Sequence, residues 1–266
     1  MEIFQYDFMI KAFIAGILIA ILTSSLSIFV VVKRYAMLSD ALAHISLLGV
    51  AIGFLFEIST ISMAILASCI AAILIEYIKS YKKIYSDSIL SIFLSASLAI
   101  SIIIVSFSNN FTTSLFDYLF GSIIAISDED IIIIISFFII VLIFMGVFYQ
   151  KLLLISFDEE LAISNGINVK FINLIFTGLI GIMVAVSIKI IGTLLIGALM
   201  IIPVISAIFL KQSFIKTWII SSIFSVLSII IGLTISFYIS APSGATIVIV
   251  LLIIFLITLF ISKKSR

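Results

Sequence analysis

Cysteine, histidine and proline are almost missing from this chain of 266 residues: Cys69, His44, Pro203 and Pro242 are all it has. A lone cysteine excludes an internal disulfide framework and a Cys-rich metal centre. Charge is scarce as well. Asp, Glu, Lys and Arg make up 10% of the residues and the net charge is +1, too little for a basic surface that holds nucleic acid. No Gly-x-x-x-x-Gly-Lys-Ser/Thr run occurs, so the chain is not expected to hydrolyse nucleotide itself. An Arg-rich voltage-sensing helix is absent too. So is the chain of intramembrane carboxylates that a proton-driven carrier commonly carries.

What remains is apolar. Such residues make up 64% of the chain and the mean hydropathy is +1.51, against about 45–50% apolar in soluble domains. A soluble chain of this composition could not cover its surface with polar groups, so the protein belongs in a bilayer, with membrane lipid as its surroundings. Long apolar runs without strand alternation predict an all-α polytopic helical bundle, because a helix satisfies its own backbone in lipid.

A crossing needs about 20 apolar residues. The runs fall near 8–32, 39–56, 60–78, 89–108, 131–150, 171–190, 191–210, 217–239 and 244–262. We expect about eight to ten crossings in one transmembrane domain over 1–266. No polar loop separates 171–190 from 191–210. The stretch 115–127, L-F-D-Y-L-F-G-S-I-I-A-I-S, is too short to cross and reads as a re-entrant or interfacial helix. Residues 1–7 lack a basic region and open with Glu2 and Asp7, so 8–32 is expected to be a true span and not a signal.

Lys and Arg are retained on the cytoplasmic side. With nine spans and the N-terminus outside, all fourteen basic residues but Lys11 and Lys189 fall in cytoplasmic segments. Glu57, Asp117 and the run Asp128–Glu129–Asp130 fall outside, where the run is expected as a solvated loop or a cation attractor. This predicts N-out, C-in.

Ionisable groups in a bilayer are costly and therefore functional candidates. The second run opens S-D-A-L-A-H-I-S-L-L-G-V-A-I-G, with Asp40 and His44 four residues apart. On a helix that spacing places both on one face, a turn apart. Ser46, Gly49 and Gly53 line the opposite side with Leu42, where small residues admit a close neighbour. Carboxylate plus imidazole suits a divalent transition metal. The same pair could also be a hydrogen bond locking two helices. Zinc usually takes about four ligands, and a twofold dimer would supply two of each.

Other features have two readings each. Lys189 snorkels to the interface or neutralises a buried carboxylate such as Asp40. Pro203 should kink its span, and with Gly192 and Gly197 it marks either a moving gate or a bent packed helix. The connection 151–170 holds Phe157, Asp158, Glu159, Glu160, Leu161 and Ile163, with Gly166 as a natural stop. Acids at a helix start suit the macrodipole, so a short cytoplasmic helix is expected there, either a connector or a docking element.

Several separated motifs then resemble one family, the membrane permeases of bacterial ABC importers for zinc, manganese or iron. V-K-R-Y-A-M-L-S-D-A-L-A-H-I-S-L-L-G-V-A-I-G (32–53) resembles its D-x-x-x-H second-span motif. Y-L-F-G-S-I-I-A-I (118–126) looks like its re-entrant element, and F-D-E-E-L-A-I-S-N-G-I-N-V (157–169) is similar to its coupling helix. I-G-T-L-L-I-G-A-L-M-I-I-P-V-I-S-A (191–207) and A-P-S-G-A-T-I-V (241–248) resemble its late spans. Ser39 and Asp117 depart from the family pattern.

The resemblance implies a homodimer in the bacterial inner membrane, two cytoplasmic ATPase subunits and an external metal-binding protein. Asp40 and His44 would be the pathway ligands. Phe157, Asp158, Glu159, Leu161 and Gly166 would couple to the ATPase. The metal is then substrate, with no permanent cofactor. The run L-A-H-x-S-L-L-G-V-A looks closest to zinc-uptake members. The alternatives are an ion-coupled metal carrier without an ATPase, or a permease for a metal chelate of the siderophore or cobalamin type.

Overall fold

The apolar runs become helices close to where the sequence places them. A computed structural model describes residues 2–82, 86–106, 118–121 and 126–264. After a 3-10 turn at Glu2–Gln5 come α1 (Asp7–Val32), α2 (Met37–Leu55), α3 (Thr60–Lys82) and α4 (Ser86–Ser106). They are followed by α5 (Asp128–Phe157), the short α6 (Glu159–Ser164) and α7 (Val169–Ile191). The chain closes with α8 (Thr193–Ile208), α9 (Phe214–Ile239) and α10 (Ser243–Lys264). No strand occurs among the described residues.

Eight of these helices are long and apolar enough to cross a membrane; α8, from the run 191–210, has only 16 residues. Contacts at the two ends of the bundle give its direction. One end, called the near end, gathers Tyr6 against Phe237 at 5.7 Å, Lys11 against Asp128 at 2.7 Å and Thr60 against Tyr118 at 3.0 Å. Gly192, just before α8, lies there against Leu119 and Phe120. The far end gathers Lys33 with Asn173 at 2.8 Å and Phe157 with Phe214 at 6.2 Å. Ile208, Phe209 and Lys211 share a cavity with Leu259, Ser262 and Lys263 from the last turns of α10, which starts at the near end. Helix α8 is about 24 Å long and runs from the Gly192 joint toward the far end. Among the described residues, then, eight helices have the length and composition of membrane spans, and α8 is a shorter apolar helix packed among them.

Without a hydrophobic force between helices in lipid, association depends on close packing and on polar contacts. The helices α1, α2 and α7 form the centre: 72, 67 and 72% of their core windows are buried, against 22% for α4. The small-residue side of α2 packs as its sequence predicts, with α3 as the partner. A Cβ on Gly49 would stand 2.5 Å from the Met63 carbonyl oxygen, and one on Gly53 would stand 2.9 Å from the Thr60 Cα. Ser46 Oγ reaches Ser68 Oγ at 2.6 Å. Between α1 and α9 the same device recurs, with Ser24 Oγ and Ser225 Oγ at 2.7 Å and Trp218 Nε1 donating to Ser25 Oγ at 3.3 Å.

The acidic run differs from its expected form. It is no loop, because Ser127 and Asp130 close a capping box that starts α5 at Asp128, three residues before the apolar run begins. Asp130 is buried and its Oδ2 accepts a hydrogen bond from Lys189 Nζ at 2.7 Å. Lys189 therefore neutralises a buried carboxylate, as one of its two readings expects, but the acid is Asp130 and not Asp40. Lys11 bridges Asp7 at 3.1 Å and Asp128 at 2.7 Å. The two lysines that break the charge rule are thus the two neutralised by acids at the near end.

The break between α7 and α8 falls at Gly192, with φ +85° and ψ 158°, a region open only to glycine. Its Cβ would lie 2.5 Å from Leu119 O and Gly121 N, so segment 118–121 packs backbone to backbone against the joint. Pro203 lies inside α8, which stays helical through it, whereas Gly192 separates α7 from α8. Of the 115–127 element, residues 118–120 form one helical turn. Residues 115–117, Asp117 among them, and 122–125 lie outside the described residues.

Candidate metal centre

Helix α2 enters the bundle from the far end, and Asp40 and His44 sit half-buried in its first two turns. Among the described residues Asp40 makes neither an ion pair nor a hydrogen bond, and His44 Nδ1 is buried without a partner. The interhelical lock that would explain the pair structurally is therefore not formed. What stands against Asp40 is Gly197 of α8: a Cβ there would overlap Asp40 Oδ1 and lie 3.0 Å from Cγ. Gly197 is expected from sequence as a gate or a kink. In the structure it is the gap in α8 that admits the carboxylate.

Among the described residues no three His, Cys, Asp or Glu side chains converge, so one chain brings two strong ligands and no more. A carboxylate and an imidazole with unused lone pairs, held between apolar helices, can accept a divalent ion.

The short helix α6 forms as its residues predict. Asp158 is its N-cap, accepting from Leu161 N at 2.9 Å. Gly166 closes it at φ +75°, with Gly166 N bonding Ile163 O at 2.9 Å and Ile167 N bonding Ala162 O at 3.1 Å. That bond pair is the Schellman arrangement. Phe157, Leu161 and Ile163 are 67, 47 and 59% exposed, leaving an apolar face beside Glu159 and Glu160.

A polar cluster behind α6 is not anticipated by the sequence. Lys33 donates to Asn173 Oδ1 at 2.8 Å and lies 4.9 Å over the Phe176 ring. Glu76 accepts from Thr177 at 3.1 Å and pairs with Lys79 at 3.4 Å. Each of these residues sits in an apolar run or next to one, and only the helix register brings them together. Burial, then the Lys79 charge, lowers the Lys33 amine to about 8 from 10.5, partly offset by Glu76 and Glu159. Between those values the unfolded chain binds more protons than the folded one, so stability should rise with pH across that window. Thermal unfolding across it should show the rise, and Lys33→Met should flatten it; an unchanged slope in that variant would assign the effect elsewhere.

A bundle of long apolar helices, with a carboxylate and an imidazole one turn apart and unpaired inside it, defines a polytopic membrane protein. The family model described as the ABC 3 transport family matches residues 5–262. The chain belongs to that family. It is 33% identical over 262 residues to the manganese import system permease protein ScaB of Streptococcus parasanguinis, covering 98% of this chain and 93% of that one. It is also 33% identical over 268 residues to the high-affinity zinc uptake system membrane protein ZnuB of Haemophilus influenzae, covering 98% and 100%. Among solved structures, PsaBC from Streptococcus pneumoniae in complex with Fab superposes with a TM-score of 0.87 at 31% identity, covering 98% of this chain and 94% of that one.

Proposed function

We propose that the chain is the permease of an ATP-driven importer that carries a divalent transition-metal ion into the cytoplasm. The observation that carries this reading is the Asp40–His44 pair: one turn apart, half-buried, without hydrogen bonds to each other, and seated where α8 has no side chain. Residues 1–266 act as one transport domain in the bacterial inner membrane. Two copies meet so that each contributes one carboxylate and one imidazole. The near end faces outward toward a metal-binding protein and the far end faces the cytoplasm, in keeping with the lysine and arginine count. Zinc is the expected cargo on the run L-A-H-I-S-L-L-G-V-A; the manganese and zinc relatives, equally identical, leave that choice to experiment.

Two ATPase subunits dock on the far end, where Phe157, Leu161 and Ile163 offer apolar contacts and Asp158, Glu159 and Gly166 fix the helix. Their closure tilts α6 and, through the far ends of α5 and α7, reopens the pair to the other side. Gly192, Gly197 and Pro203 lie on the element that yields. The test is uptake of zinc, manganese and iron by vesicles holding the chain with its ATPase and binding protein. Uptake that follows ATP hydrolysis and survives collapse of ion gradients supports the importer; uptake that needs no ATPase supports an ion-coupled carrier instead.

Coupling has its own test. Gly166→Val forces a β-branched residue into a left-handed backbone, at a cost of order 1–3 kcal/mol, borne by a six-residue helix at the surface. Membrane insertion should be normal while ATP hydrolysis no longer drives uptake. Wild-type uptake would reduce α6 to a connector.

A further inference from the structure

Two buried side-chain polar atoms lack a hydrogen-bond partner among the described residues: His44 Nδ1 and Thr193 Oγ1. They are on different helices and 149 positions apart, counting from 44 to 193, and one contact between their helices sets the register that relates them. Helix α2 runs from the far end to the near end, and α8 runs the opposite way. Asp40 on α2 stands against Gly197 on α8. One turn from Asp40 toward the near end is His44; one turn from Gly197 in the same direction is Thr193. Residues four apart lie on one helix face, so the Asp40–Gly197 contact sets a register in which His44 and Thr193 occupy the next rung.

The orphaned hydroxyl has a local cause. Many helical Ser and Thr of this chain satisfy themselves on the preceding turn, as Ser46 does on Leu42 O at 2.8 Å and Ser206 on Ile202 O at 2.7 Å, and others find a partner on another helix, as Thr177 does on Glu76 at 3.1 Å. Thr193 is the first residue of α8, and the carbonyl four residues before it, that of Lys189, belongs to α7 beyond the Gly192 break. Thr193 is also only 3% exposed, so bulk solvent does not reach it. Valine has nearly the same shape and would fill the site without a stranded hydroxyl. A stranded polar group costs stability, so the fold alone gives no reason for the oxygen.

We propose that Thr193 is a third contact for the transported ion on this chain, its Oγ1 offering a neutral oxygen beside Asp40 and His44. This rests on the reading of Asp40 and His44 as the ion's ligands. A bound ion satisfies both orphaned positions at once, taking lone pairs from imidazole and hydroxyl. It also eases the shortage of ligands, since each chain has only two strong ones.

The test compares Thr193→Val with Thr193→Ser in cells expressing the full chain and its partners, measuring zinc and manganese uptake against concentration, alongside thermal unfolding of each purified variant. Thr193→Val should raise the apparent KM about 10- to 100-fold, the usual scale for losing a supporting group at a metal site. Its unfolding temperature should equal or exceed wild type, and Thr193→Ser should transport nearly normally. A Thr193→Val variant with unchanged KM for both metals overturns the proposal. So does a variant that loses uptake only together with stability and is not rescued by serine, because that marks a packing role. Asp40→Asn is run in parallel. If it abolishes uptake while Thr193→Val does not alter it, this inference alone fails; if Asp40→Asn transports normally, the site reading fails with it.

Discussion

Asp40→Asn should bring metal uptake to background while the protein reaches the membrane at wild-type levels. The substitution keeps shape and removes one negative charge. Two unit charges 4 Å apart interact by about 4 kcal/mol at an effective dielectric of 20, and the ion carries two. Even the single-charge figure is about three orders of magnitude in affinity. The fold has no matching stake in that charge, because among the described residues Asp40 holds no cation and no hydrogen bond. Taking an unpaired carboxylate out of water is itself unfavourable, so Asp40→Asn should unfold at a temperature no lower than wild type. His44→Ala should behave alike: alanine is the best helix former, and Ala41 and Ala43 already show that small residues fit this helix. Uptake by Asp40→Asn near the wild-type rate would refute the metal assignment and leave the bundle untouched.

The span count, the helix content and the small-residue face of α2 were legible because each depends on local composition. Gly49 and Gly53 can only mean close approach on a helix this apolar, and α3 is where that approach occurs. The caps of α6 were legible for the same reason, since Asp158 and Gly166 act within a turn of themselves. Contacts between distant runs were not legible. Nothing near Asp130 in sequence announces Lys189, and nothing near Asp40 announces Gly197, because both pairings follow from how α5, α7 and α8 lean on their neighbours. The far-end cluster of Lys33, Glu76 and Asn173 was missed on that account too. Thr193 was hidden for a subtler reason. A threonine in an apolar helix is ordinarily self-satisfied, and only the break at Gly192 denies it the carbonyl.

Gly197→Ala should abolish transport, and the fault should lie in the position of Asp40. In an unobstructed helix the exchange stabilises by about 1 kcal/mol, because alanine restricts the unfolded chain and glycine does not. Here the new methyl would overlap Asp40 Oδ1 and stand 3.5 Å from Oδ2, so one of two groups must move. Helix α8 is hemmed in by its own buried residues, whereas the carboxylate is the free end of a side chain with no partner to hold it. The carboxylate therefore turns away, α8 stays in place, and the protein folds with its ligand pair separated. Overpacking of this kind costs about 1–3 kcal/mol, enough to cancel or reverse the helix-propensity gain. A double-mutant cycle isolates the cause. In an Asp40→Ala background the obstacle is gone, and Gly197→Ala should then raise stability by the full propensity amount of about 1 kcal/mol. If Gly197→Ala has the same effect on unfolding in both backgrounds and still transports metal, the glycine is not the seat of Asp40, and the geometry of the pair must be sought elsewhere on α8.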